Sequence, residues 1–213
     1  MFPIWDDQVQ WGYVPYWTRI FIIINVLVFF YQTSLGVGLE EFVMTRGTVP
    51  ENIVAGSGYL TLLTAMFLHG GWMHLIWNML FLYVFGDNIE ARIGNMKFFL
   101  FYIAWGIAAW LIHVIFNVTS SVPAVWASWA IAAVLGAYLL MFPHSRIKML
   151  FPQGMRIFYI SAQQFLLYWI GVQFFSGVGS LADSGLEWWV AWWAHIWGFL
   201  FGVVMVVGKV LRR

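Results

Sequence analysis

Most of the chain's apolar residues fall into runs long enough to cross a lipid bilayer, and this limits what it can fold into more than any other feature. Six runs stand out, at about 18–35, 71–87, 95–116, 126–142, 157–176 and 189–208, bounded by Gly, Pro, Asn or charged clusters. A helix needs about 20 such residues to span roughly 30 Å of hydrocarbon. Hydrophobic residues make up 62% of the chain and charged residues 9%, whereas soluble domains average about half and about a quarter. A chain of this kind cannot cover itself with polar surface, so the bilayer is its solvent. The expected fold is an all-α membrane protein, a single domain over residues 1–213 with six transmembrane helices.

Other classes are excluded by what is scarce. The net charge of +1 points to no nucleic-acid partner. The absence of cysteine removes disulfides, thiolate catalysis and thiolate metal sites together. The start, MFPIWDDQVQWGYVPYW, is acidic and aromatic, where a cleavable signal has a basic start and a small-residue cleavage site; the first apolar run reads as a retained helix. Residues 36–58, with Glu40, Glu41, Arg46, Pro50 and Glu51, form a substantial loop, and 59–68 reads as a buried or re-entrant piece. No internal repeat supports a two-halved transporter.

Orientation follows from the basic residues. With the N-terminus cytoplasmic, the inner side holds Arg19, Arg92, Lys97, Arg146, Lys148, Arg156, Lys209, Arg212 and Arg213, and Arg46 alone of the 10 lies outside. Acidic Glu40, Glu41, Glu51, Asp183 and Glu187 fall on that outer side. The asymmetry predicts an N-in, C-in topology, in a plasma or inner membrane.

Polar side chains within spans are costly and usually face the bundle interior. Four stand out: His74 and Asn78, four apart on one helix face, Ser128 near the start of the fourth run, and His195 inside the sixth. Each has a bland reading. A first-turn serine seen alone is more often a cap, and a His and Asn on one face more often knit helices together. Zinc on His69, His74 and His195 lacks an HExxH motif and a ligand carboxylate, so no metal and no cofactor is expected. As a set, the four can do acyl-transfer chemistry. A serine needs a neutral imidazole within reach, and the oxyanion that follows needs preorganised donors such as an Asn amide, an imidazole N–H or helix-start N–H groups. No Asp or Glu lies in the runs to complete a triad, so the base is expected to be oriented by packing alone.

The stretch LTAMFLHGGWMHLIWNMLFLYVFGDNIEARIG at 62–94 resembles the signature of the rhomboid family of intramembrane serine proteases. VWASWAIAAVLGAYLLMFP at 125–143 resembles the family's G-x-S-G serine segment, and WWAHIWGFLFG at 192–202 its H-x-x-G-x-x-x-G motif, here His195, Gly198 and Gly202. The resemblance implies a six-helix rhomboid-like bundle, Ser128 as nucleophile, His195 as general base and then acid, and Asn78 with His74 as oxyanion donors. It also implies transmembrane protein substrates, entering laterally near the loop 36–58 and the fifth helix, and cleavage through an acyl-enzyme. The departures are tryptophans. Trp126 and Trp129 stand where the serine motif has glycine, Trp77 where one precedes the asparagine, Trp197 where one follows the histidine, and Trp188 and Trp189 stand ahead of the sixth helix. An indole beside the nucleophile adds bulk where glycine leaves room. The alternative is therefore a catalytically silent rhomboid-like binding protein blocked by Trp126 and Trp129. A channel or transporter rests only on helix count and intramembrane histidines.

Overall fold

A computed structural model describes residues 1–8, 12–125, 127–180 and 186–210, with side chains in the last helix from 192 to 207. Trp126, Asp183, Arg212 and Arg213, and the side chains of Glu187, Trp188, Trp189 and Lys209, lie outside the described residues.

The chain is mostly helical. Helix α1 (Tyr16–Ser34) leads into a short 3₁₀ turn and the loop helices α2 (Leu39–Arg46) and α3 (Pro50–Val54). A single turn α4 (Thr61–Thr64) and a 3₁₀ turn Ala65–Phe67 precede α5 (Trp72–Phe81). That helix runs through a π-helical turn, Leu82–Gly86, into α6 (Asp87–Ile93). Then come α7 (Asn95–Phe116), α8 (Ser128–Met141), α9 (Ala162–Ser180) and α10 (Leu186–Val210). Among the described residues α1 and α7 are long and apolar enough to cross a membrane, while Ser128–Met141 and Trp192–Val207 are apolar but shorter. Large apolar side chains stay on the outside, including Leu27 and Phe30 of α1, Ile115 of α7 and Phe175 of α9. Contiguous apolar surface of this kind suits lipid, not water.

The all-α expectation needs one correction. Strands β1 (Phe2–Asp6), β2 (Arg146–Phe151) and β3 (Arg156–Ser161) form an antiparallel sheet in that order. The expected fifth helical run, 157–176, therefore begins as strand, and its helix starts only at Ala162. The reason is a hairpin. Pro152 to Met155 make the turn, Gly154 and Met155 having φ of 87° and 50°, and Ile147 and Met149 alternate inward with Arg146 and Lys148 outward, the period of a one-sided strand. RIFYIS pairs with it residue for residue, Ile147 opposite Ile160 and Met149 opposite Phe158. Its apolar content hid it within a helical run.

The sheet also fixes the N-terminal segment. Asp6 accepts hydrogen bonds from Asn88 Nδ2 at 2.8 Å and from the Tyr138 hydroxyl, and Asp7 accepts from Ser145 Oγ at 2.8 Å and the Arg146 N–H at 3.0 Å. The start of α1 is capped from α6: the buried Glu90 carboxylate accepts the Trp17 and Thr18 N–H groups at 2.9 and 2.8 Å. These are donors a helix start leaves unpaired. Near the other end of α8 the loop is pinned as well, because Thr48 and Ala124 exchange backbone hydrogen bonds of 3.0 and 2.9 Å. The segment 59–68 is partly buried, with Ala65, Met66 and Leu68 almost fully enclosed.

At the centre is α8, buried at every residue from Ser128 to Tyr138. Such a helix needs small residues to let neighbours close on it. The contact with α10 is backbone on backbone: a Cβ on Gly136 would lie 2.0 Å from the Phe199 carbonyl oxygen, and one on Gly198 2.6 Å from that of Trp129.

Candidate active site

This crossing of α8 and α10 sets the positions of two side chains. Ser128 is the first residue of α8 and His195 lies in the second half of α10's third turn; the Ser128 hydroxyl donates to His195 Nε2 at 2.6 Å. A hydroxyl on the first turn of a helix sits beside backbone N–H groups that the helix does not use, and the helix dipole favours negative charge there.

The ring's other nitrogen is held too. His195 Nδ1 is 2.7 Å from Gln173 Oε1 of α9. An amide oxygen only accepts, so Nδ1 carries the proton and Nε2 offers its lone pair to Ser128. Packing alone was the expectation for this base. A hydrogen bond orients it, supported by Trp169, whose ring centroid is 5.8 Å from that of His195. Gln173 was missed although a signal was present, since it is a polar residue within the apolar run LLYWIGVQFF and intramembrane polar residues merit weighing one by one.

Ser128, His195, His74 and Asn78 all line one cavity of about 820 Å³, together with Trp77, Trp169, Gln173 and Trp192. Asn78 and His74 reach it from α5. Asn78 is buried, and its Nδ2 has no hydrogen-bond partner among the described residues. His74 Nδ1 accepts the Gly70 N–H at 3.3 Å, which leaves the proton on Nε2 and makes that nitrogen a donor. His69, the third histidine considered for zinc, is buried with its ring 5.1 Å from that of His74. Chemically, the arrangement offers a hydroxyl, an imidazole of defined tautomer that accepts its hydrogen bond, and amide and imidazole donors around one space.

The tryptophans separate into those that face this space and those that do not. Trp129 is fully buried and packs on Trp110 and His113 of α7, ring centroids 4.6 and 5.3 Å away; it does not contribute to the cavity lining. Trp197 lines a smaller cavity between α7 and α10 with His113 and Phe116. Trp77 does face the large cavity and stacks on Phe2, centroids 4.4 Å apart and planes 9° from parallel.

A rhomboid-domain family model matches residues 56–212, a range that contains every residue of this site, and the chain belongs to the rhomboid family. At the family level that is a family of membrane-embedded serine proteases. The chain is 33% identical over 126 residues to rhomboid protease GluP of Bacillus subtilis, covering 59% of this chain and 24% of that protein. It is 33% identical over 89 residues to the mitochondrial RHOMBOID-like protein 6 of Arabidopsis thaliana, covering 42% and 28%. It is 43% identical over 49 residues to the chloroplastic Rhomboid-like protein 11 of the same plant, covering 23% and 18%. The chain thus spans about a quarter of the length of the curated relatives it matches.

Proposed function

We propose that the chain is an intramembrane serine endopeptidase that cleaves transmembrane segments of other membrane proteins, as a six-span bundle with both ends on the cytoplasmic side. The observation that carries this is the 2.6 Å contact between Ser128 Oγ and His195 Nε2, made at one cavity with Asn78 and His74. Supporting the orientation, β1, β2 and β3 gather Arg146, Lys148 and Arg156 on the N-terminal side. Ser128 stands at the opposite end of α8, whose 14 residues make a helix about 21 Å long.

In this reading Ser128 Oγ attacks the scissile carbonyl carbon while His195 Nε2 takes the hydroxyl proton. The carbonyl electron pair moves onto oxygen, and that oxyanion is met by Asn78 Nδ2, His74 Nε2–H and the N–H groups at the start of α8. The C–N bond then breaks, His195 returns its proton to the leaving amine, and an acyl-Ser128 ester remains. Water attacks the ester with His195 again as base, releasing the new carboxyl terminus and the free serine. Trp129 supports an open site, since its indole is spent on α7 and not on the cavity.

The test is labelling of the purified protein with a fluorophosphonate probe, beside Ser128→Ala. Labelling of the parent alone is the expected result; equal labelling of both would remove Ser128 as nucleophile and favour a silent binding protein.

A further inference from the structure

The sixth-helix histidine of a two-residue catalytic pair has a free choice of tautomer unless something takes that choice away. Here its surroundings come from two helices, α10 and α9. Helix α10 is locked to α8 through glycine contacts that admit no Cβ. Helix α9 packs on the core and on α10 through aromatic rings, Phe165 and Trp169 against Phe81 at 6.0 and 6.2 Å, Trp169 against Phe199 at 6.1 Å and Phe174 against Trp193 at 6.1 Å, with Gly177 set against Trp193 and Trp192. Leu167 and Phe175 of α9 are exposed. Trp169 and Gln173 are four residues apart, hence on one helix face, and both meet His195. Gln173 itself is only 6% exposed.

We infer that Gln173 is a positioning residue: its side-chain carbonyl holds the His195 Nδ1 proton and so keeps Nε2 the acceptor for Ser128. The catalytic meaning of this rests on the protease reading; the tautomer does not.

Both can be measured on the full chain in detergent micelles. Nitrogen-15 NMR of labelled histidines, with His195 assigned by comparison with His195→Ala, reports which ring nitrogen bears the proton. The parent is expected to show Nδ1–H, and Gln173→Met, nearly isosteric but without an acceptor, to lose it. Fluorophosphonate labelling of Gln173→Met should slow by about 10- to 100-fold, a part of the roughly 10²–10⁴-fold that positioned proton transfer contributes. Gln173→Glu keeps the acceptor and adds a charge against Nδ1–H, so it should keep labelling and move the acid limb of the rate–pH profile to higher pH. Of the other ionisable side chains lining the cavity, His74 lies on α5 and Tyr168 on α9, whereas Gln173 Oε1 is 2.7 Å from His195 Nδ1, so a limb that moves with Gln173→Glu is assigned to His195. A folded Gln173→Met with the parent's tautomer and labelling rate overturns the inference, as does an unmoved acid limb in Gln173→Glu. A parent that shows Nδ1–H, loses it in Gln173→Met and never labels upholds the inference and removes the protease reading.

Discussion

Gly202 of α10 lies against the Ala133 backbone of α8 so closely that a Cβ on it would fall 1.9 Å from the Ala133 carbonyl oxygen. No side-chain rotation relieves a clash with backbone, so the helices themselves must part. Gly202→Ala should cost about 1–3 kcal/mol, the usual penalty of overpacking. Because Ser128 and His195 ride on these two helices, it should also slow labelling of Ser128 by at least about tenfold, the equivalent of some 1.4 kcal/mol in the barrier. Thermal unfolding in micelles and the labelling rate measure the two effects. A variant that keeps both values would show that the crossing does not set the dyad distance.

Asn78 makes a prediction of opposite sign for stability and for rate. Its Nδ2 is buried without a partner among the described residues, and an unsatisfied buried donor costs about 1–3 kcal/mol. Asn78→Ala is expected to leave the unfolding midpoint unchanged or higher. If the amide meets the oxyanion, the same variant should lose about 10²–10³ in acylation rate, as when one such donor is removed. A lowered midpoint with an unchanged rate would make Asn78 a structural residue.

Trp129→Gly restores the family's residue beside the serine, and on a blocked-site reading it should create activity. The buried stack on Trp110 and His113 leads to the contrary expectation. Removing a core indole leaves a cavity and costs about 3–5 kcal/mol for truncation to alanine, with glycine in a helix adding roughly 1 kcal/mol more. Labelling should fall with stability. A rise in labelling would place the indole in the path of the substrate after all.

Asp6 ties β1 to α6 and α8, and burial pushes its carboxyl above the ordinary 3.8, against the lowering effect of hydrogen bonds from Tyr138, the Gln8 N–H and Asn88. The folded state therefore binds the proton more tightly than the unfolded state. Between 3.8 and the raised value the folded chain holds more protons, so stability falls as pH rises through that window. Asp6→Asn cannot ionise and should flatten this part of the profile, gaining on the parent as pH increases. Unfolding midpoints measured from pH 4 upward check it; parallel curves for the two proteins would discount Asp6 as the titrating group.

Several of these relationships were already present in the order of residues. The apolar runs marked each major helix from α1 to α10, because a chain solvated by lipid writes its helices as long apolar stretches. His74, Asn78, Ser128 and His195 stood out because a polar side chain at membrane depth is rarely idle, and Gly198 and Gly202 through their resemblance to the family's H-x-x-G-x-x-x-G motif. Family resemblance added their roles. Hidden from that kind of reading were β1 and the hairpin of β2 and β3, since a short apolar strand next to an apolar helix has the same composition as the helix.

What the sequence by itself determined was the solvent, the long helices and four of the polar residues that line the cavity, His74, Asn78, Ser128 and His195, all properties of local composition and spacing. Only the tertiary structure decided which side chains meet. It turned Trp129 toward α7 and Trp77 toward the cavity, and it set Gln173 against a histidine 22 residues away. The physical reason is that composition fixes where a residue lies along the bilayer normal, whereas the rotation of each helix about its axis depends on partners distant in the chain.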